Sequence, residues 1–409
     1  MNNYYKLKTN TIMRKLFFAM LALAALASCS KDEVVQLNQD EIRYNVVAEN
    51  TTKAAAVYCN NNKITTFNVW AKVGNVNYIG GSGDVVTSPD NGTTWTSNIK
   101  RYWPDGDVDF YAVAGMANNT ITWAPGTVTP ASFTYTVLGD VADQEDVLYA
   151  YEQAEKPVNT ATTTGTVNLN FRHALSQVVF NAKNQHPNLY IEISEVQVCG
   201  LTNSGTFNYP SSETTTNNSD AENPHVAVPS YPAAASVGSW NVSTVDANKD
   251  KSYSVVISPA AMLNPKTTAE DVTADLTAVY DDGKEFSTKA MLLLPQSQTA
   301  YDGSTGTFFK IKCKIFNVAD NTVDASSYVK TQLFGGVNGD YAYIPFSFTW
   351  EPGKKYIYTF VFGNDTNGGV EGDGEKPDLD NPVLVNIGYT ISIDEFVPVS
   401  ATADWTTNV

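Results

Sequence analysis

The chain has 409 residues, 43% hydrophobic and 17% charged, with 43 acids against 26 Lys and Arg. That length accommodates two to four domains at roughly 100–200 residues each, and the apolar content excludes a wholly disordered chain. A net charge of −17 makes nucleic acid a poor partner, because phosphate recognition needs a basic surface. Four Cys are too few for a disulfide scaffold, and three His leave little for a multi-histidine metal site. No cofactor and no metal are expected.

Residues 1–28 read as a secretory signal peptide. Lys6, Lys8, Arg14 and Lys15 precede or flank the apolar run 16–27, with no acid among them. That run is too short for a bilayer crossing, which takes roughly 20 residues. Met13, followed by Arg14-Lys15, has the form of a start of its own, which leaves translation of residues 1–12 open. The stretch ends Leu26-Ala27-Ser28-Cys29, which resembles a bacterial lipobox. Cys29 would then be acylated, for instance with palmitate, and begin the mature chain; the alternative is a plain signal peptide with an incidental Cys. Ser30-Lys31-Asp32-Glu33 is similar to the short charged tag that sends Bacteroidetes lipoproteins to the outer face of the outer membrane. Cleavage before Cys29 removes four basic and no acidic residues and leaves a mature charge of −21. Attachment is therefore expected through acyl chains, not a basic protein face. Cys59, Cys199 and Cys313 are an odd set, open to one disulfide or to buried thiols, the commoner state.

Along the mature chain, apolar residues alternate in short runs. Ile42, Tyr44 and Val46 form the first. Phe67 and Val69, Val108 and Phe110, then Val167, Leu169 and Phe171 follow. Residues 190–198, 253–257, 308–315 and 356–362 continue the pattern, which predicts an all-β protein of sandwich type. The spacing over 171–179 fits a helix template, but its Val-Val-Phe end favours a strand, and a strand is expected. Asp105-Gly106 predicts a tight turn into a strand. It is not a calcium loop, since Phe110 and Met116 stand where the EF-hand needs Gly and Glu. No nucleophile elbow, P-loop or zinc-protease motif is present, and His173, His186 and His225 have no ligand-spaced partners. No catalytic residue is expected, and the chain is read as a non-enzyme. The many Trp and Tyr are expected mostly in strand cores, with a sugar-stacking platform as the alternative.

Residues 155–165 and 363–382 break this pattern. The second carries six acids and one base among Gly and Pro and is expected to be a solvated, mobile linker. Residues 202–238 are expected to form a long surface loop. The resulting division is signal peptide 1–28, an N-terminal sandwich 29–160, a C-terminal sandwich 161–362, the linker 363–382 and an extension 383–409. In that extension Val383, Val385, Ile387, Tyr389, Ile391 and Ile393 take every odd position, which marks one face made for burial.

Six phrases, in order, resemble the fimbrillin family, the lipoprotein pilins of Bacteroidetes often called type V. They are Phe67-Asn68-Val69-Trp70-Ala71; Tyr102-Trp103-Pro104 with Val108-Asp109-Phe110-Tyr111-Ala112; Asp146-Val147-Leu148-Tyr149-Ala150; Leu169-Asn170-Phe171-Arg172-His173-Ala174-Leu175-Ser176; Leu294-Pro295-Gln296; and Trp350-Glu351-Pro352-Gly353-Lys354-Lys355-Tyr356. The resemblance implies two transthyretin-like β-sandwich domains and a role as shaft, tip or anchor subunit of an adhesive surface fimbria. It also implies assembly by strand exchange. A trypsin-like protease cuts behind the first strand, that strand leaves, and another subunit's C-terminal strand fills the groove. Carried onto this chain, the displaced strand is 42–49, with Ile42, Tyr44 and Val46 inward. The processing site is Lys53 in Asn50-Thr51-Thr52-Lys53-Ala54, where the family more commonly has Arg; Arg43 is a weaker candidate because it lies within the strand. The donor is the row Val383, Val385, Ile387, Tyr389, Ile391 and Ile393. Expected partners are other pilin subunits, the outer membrane through lipid on Cys29, the protease, and a host glycan or protein receptor. The expected location is the outer membrane surface, then the fimbrium after processing. The alternatives are a monomeric surface lipoprotein that binds glycan, or a pilus anchor.

Overall fold

A computed structural model describes residues 41–46, 64–90, 92–116, 122–124, 131–154, 165–211, 237–267, 272–277, 279–281, 284–286, 290–363 and 369–395. The all-β expectation holds. The regular structure of the described residues is strands in packed sheets, joined by turns and loops, with single-turn 3-10 helices at Val141–Asp143, Asp246–Asn248 and Ala325–Ser327.

The first sheet orders Arg172–His173, Leu148–Ala154, Val108–Ala114, Thr66–Val73, Val76–Thr87 and Thr96–Ser97. Its central strands are too apolar for a one-faced sheet: Val108–Ala114 reads VDFYAVA, and only Asp109 is not fully buried. Such runs need cover on both faces, and both are covered. On one face Phe67, Val69, Phe110 and Ala112 pack with Ile42 and Tyr44 of Arg43–Val46 and its lead-in, and with Val167 and Leu169 of Thr166–Leu169. On the other, Trp70, Tyr111 and Tyr149 meet a four-stranded sheet ordered Ser239–Val242, Ser204–Asn208, Ser132–Thr136, Thr122–Ala124. Trp70 stacks on Trp123 at 5.0 Å, and Tyr149 lies 4.5 Å from Phe207 between ring centres.

The second unit faces two larger sheets. One orders Thr273–Asp275, Ser176–Asn184, Lys354–Phe362 and Ile387–Glu395, with Met291–Leu293 also on Ser176–Asn184. The other orders Lys251–Leu263, Leu189–Leu201, Phe308–Val318, Asp340–Pro345, Val370–Gly372 and Pro377–Pro382, with Lys330–Phe334 also on Phe308–Val318. Phe309, stacked on Phe346 at 3.7 Å and edge-on to Tyr358 at 4.9 Å, fills the space between them. Cys313 faces this core, Cys199 is buried on the outer side, and both are free thiols; Cys59 lies outside the described residues.

Three expectations need correction. A boundary at 160/161 does not separate the sheets. Thr166–Leu169 pairs with Arg43–Val46, Arg172–His173 with Leu148–Ala154, and Ser132–Thr136 with Ser204–Asn208. Polar contacts cross as well: Gln144 Oε1 accepts from Leu292 N at 2.7 Å, and buried His173 Nδ1 lies 2.9 Å from Asp146 Oδ1. Next, the segment 363–382 is not a bare linker. Val370–Gly372 and Pro377–Pro382 form a hairpin on the sheet edge, with Val370 buried. Its turn is Asp373-Gly374: Asp373 Oδ1 accepts from Glu375 N and Lys376 N, and Gly374 supplies φ +98°. Last, the surface loop at 202–238 starts as the core strand Ser204–Asn208, with Phe207 fully buried; residues 212–236 lie outside the described set. The helix-like spacing at 171–179 is strand, as expected, but in two pieces, Arg172–His173 and Ser176–Asn184, with a break at Ala174-Leu175.

Phe133 pins the four-stranded sheet, fully buried against Phe207, Tyr209 and Trp240. Phe133→Ala should lower unfolding free energy by about 3–5 kcal/mol in denaturant titration; a loss under about 1 kcal/mol would show that this sheet does not hold the units together.

Candidate functional site

The first strand begins where Ile42 N donates to Arg101 O at 2.9 Å and Arg43 N to Gly165 O at 2.8 Å. Arg43–Val46 then runs parallel to Thr166–Leu169, with Tyr44 opposite Val167 and Asn45 opposite Asn168. This is a two-stranded sheet; the other side of the segment carries a single bridge, Glu41 to Tyr102. Alternation places the apolar side chains inward. Ile42 and Tyr44 are buried, Arg43 and Asn45 exposed, and Val46 is half-buried at the open end.

Tyr44 fills the aromatic part of the seat. Its ring stands edge-on to Phe67 and to Phe110, 6.1 Å from each. Its hydroxyl is buried with no hydrogen-bond partner among the described residues. Burial first, and then the Asp84 carboxylate, push that hydroxyl well above its ordinary pKa, so it stays neutral. Burying Ile42 and Tyr44 at about 1.5–3 kcal/mol each stabilises the seated strand, offset by about 1–3 kcal/mol for the unpaired hydroxyl.

The walls are fixed from outside the strand. Arg101, whose carbonyl receives Ile42, is clamped by Asp84 in two bonds, Nε to Oδ2 at 2.7 Å and a terminal nitrogen to Oδ1 at 2.8 Å. That bond raises the Arg101 pKa further. Gly165 is required by close approach: a Cβ there would lie 2.5 Å from Trp103 Nε1 and 3.1 Å from Glu41 O. Asn45 Nδ2 donates to Asn168 Oδ1 at 3.1 Å on the outer side.

At the other end of the chain, Ile387–Glu395 pairs antiparallel with Lys354–Phe362 over nine residues without a bulge. It is the edge of its sheet, with no strand beyond it among the described residues. The six odd positions do not share one fate. Val383, Val385 and Ile387 are buried, Tyr389 is half-buried against Phe309 and Tyr358, and Ile391 and Ile393 are 46% and 57% exposed. The alternation sets the face, and within the single chain only its first half is covered.

Cys29 and Lys53 lie outside the described residues, as do 47–49 of the predicted first strand. Asp84, Arg101, Trp103, Gly165 and Asn168 were not picked out by sequence reasoning. A carboxylate before the apolar pair Val85-Val86 of strand Val76–Thr87 and a Gly just before Thr166–Leu169 were the available signals. Of the Trp, Trp70, Trp103 and Trp350 are buried and Trp95, Trp123 and Trp240 half-buried, so the described residues hold no exposed Trp platform for sugar stacking. They also contain no group of three His, Cys, Asp or Glu placed to hold a metal ion.

Residues 38–375 match the fimbrillin-like family. The chain belongs to that family. Membership makes this fimbrillin-like chain a structural subunit of a cell-surface fimbria in adhesion, interacting with other pilin subunits, and not an enzyme. No curated protein matches. Similar solved structures include a fimbrial protein from Bacteroides vulgatus, 15% identical, covering 87% of this chain and 99% of that one at a TM-score of 0.45. A candidate cell-adhesion protein from Bacteroides eggerthii is 13% identical, with coverage of 88% and 96% and a TM-score of 0.42. The tip fimbrial protein Mfa3 from Porphyromonas gingivalis, truncated at its C-terminus, is 10% identical, with coverage of 80% and 94% and a TM-score of 0.26.

Tyr44→Phe keeps the ring contacts and removes the unpaired hydroxyl, so it should stabilise the first strand by about 1 kcal/mol. Tyr44→Ala should destabilise it by about 3–5 kcal/mol. Hydrogen exchange at the Arg43–Val46 amides reads both; equal loss of protection in the two variants would contradict this account of the seat.

Proposed function

We propose that the chain is exported as a lipoprotein acylated on Cys29, held at the outer membrane surface, and assembled into the fimbria by protease-triggered strand exchange. Cleavage after Lys53 releases the first strand, and the C-terminal strand of a second copy takes its seat. The protease is of trypsin-like specificity, and the assembled fimbria presents the adhesive contact to a host glycan or protein. The observation that carries this reading is the first strand's attachment among the described residues: four residues, one strand neighbour and an inward Ile42–Tyr44 pair, within a wall that the rest of the fold supplies.

Tethering keeps that strand in place. A segment joined to its own domain has an effective concentration of order mM, against which an incoming strand competes poorly. Cutting the chain behind it removes the advantage, and refilling then reverses slowly. In the donor, Ile391 and Ile393 are exposed at home, and the edge strand Ile387–Glu395, paired without a bulge, is of the kind open to pairing with another chain. An anchor subunit, in which the first strand stays seated, is the second reading.

Truncation after Gly363 strips the edges of two sheets and uncovers the core row of Tyr356, Tyr358 and Phe360, so single exposed substitutions are the better probe. Unheated envelopes on a denaturing gel should give a ladder for the wild type. Lys53→Ala should give one band near the mature mass, and a full ladder from it would overturn cleavage there. Ile391→Asp with Ile393→Asp should leave a monomer with wild-type melting that does not polymerise, since both positions are exposed in the single chain; undiminished polymer would exclude this strand as donor. Cys29→Ala should leave unlipidated precursor, and incorporation of labelled fatty acid into it would refute acylation at that residue.

A further inference from the structure

We infer that Tyr389 of a second copy takes the Tyr44 pocket and thereby sets both register and direction of the exchanged strand, parallel to Thr166–Leu169. This rests on the strand-exchange reading and adds to it which residue goes where. The seat accepts an aromatic ring at one position only, between Phe67 and Phe110, with smaller aliphatic positions two residues to either side, at Ile42 and Val46. In the row from Val383 to Ile393, Tyr389 is the single aromatic, with Ile387 and Ile391 two residues to either side. A shift by two residues would place an isoleucine between Phe67 and Phe110 and leave a cavity. A shift by one would turn the whole apolar row outward.

The triplet Ile387, Tyr389 and Ile391 is symmetric about its tyrosine, so side-chain size alone permits either direction. The outer face decides it. Asn45 Nδ2 donates to Asn168 Oδ1 across the parallel pair. With Ile387 in the place of Ile42, Thr390 falls in the place of Asn45, where its hydroxyl can donate to the same oxygen. In the reverse direction Gly388 stands there and offers no side chain. The same-sense strand also brings N–H groups of Ile387 and Gly388 to Arg101 O and Gly165 O, which receive Ile42 and Arg43 in the single chain. At home Thr390 is exposed, whereas Tyr389 is half-buried against Phe309 and Tyr358 and Ile387 is fully buried, so the exchange withdraws both from their own core.

Full-length Asn168→Cys acceptor and Thr390→Cys donor, mixed, processed and oxidised, should yield a disulfide-linked pair on a non-reducing gel, with the unsubstituted chain run alongside. Pairing Thr390→Cys with Thr166→Cys instead should give at least about tenfold less of it, equivalent to about 1.4 kcal/mol. Polymer with preferential 166–390 linkage, or with neither linkage, would overturn the register while leaving strand exchange standing. Failure of the processed wild-type chain to polymerise would remove both. Tyr389→Phe should assemble as the wild type does, and Tyr389→Ala, assayed at a temperature where circular dichroism shows its monomer folded, should assemble at least about tenfold more slowly; wild-type assembly by Tyr389→Ala would also overturn the assignment.

Discussion

One ring between two others governs the behaviour of the N-terminal end. Tyr44 stands edge-on to Phe67 and Phe110, and among the described residues the strand that carries it has four residues and one strand neighbour. Four backbone pairs are a weak hold, since even complete two-stranded hairpins are marginal in water. The buried side chains supply the rest, so what fixes Phe67 and Phe110 fixes the strand. Those two residues belong to strands whose opposite face is pinned by Phe133, Phe207 and Trp123. A sheet buried on both faces is a stiff wall, and it keeps its shape by contacts that do not involve the first strand.

That separation between wall and occupant connects packing to function. The Asp84–Arg101 clamp and the close passage of Gly165 beside Trp103 form the rim of the groove without contribution from Arg43–Val46 side chains. On the proposed reading, that is what lets one occupant replace another. At the far end of the chain, the edge strand Ile387–Glu395 leaves Ile391 and Ile393 open to solvent in the single molecule. Exposed edges are commonly broken with Lys, Pro or a bulge, and Ile387–Glu395 carries none of these.

Sequence patterning revealed faces better than neighbours. The alternation at Ile42, Tyr44 and Val46 announced an inward row, and the phrases around Trp70, Tyr111 and Tyr149 were legible because residue types carry them. Pairing across long separations was not legible. Nothing in Ser132–Thr136 names Ser204–Asn208 as its neighbour, and the intervening change of composition at 155–165 suggested a boundary that the strands cross. The acidic hairpin at Val370–Pro382 was hidden by average composition, which records six acids but not one Asp-Gly turn with a buried Val before it. In the donor row, period two distinguishes one face from the other; whether anything lies on that face is a tertiary question. Asp84 was missed because a lone carboxylate in a strand has many surface explanations, and its partner Arg101 lies 17 residues away.

The central claim is that the first strand is a temporary occupant. N-terminal sequencing of subunits recovered from assembled surface fibres tests it most directly. A chain that begins at Ala54 is the result this account predicts. A chain that begins at a lipidated Cys29, still carrying Ile42, Tyr44 and Val46, would contradict it.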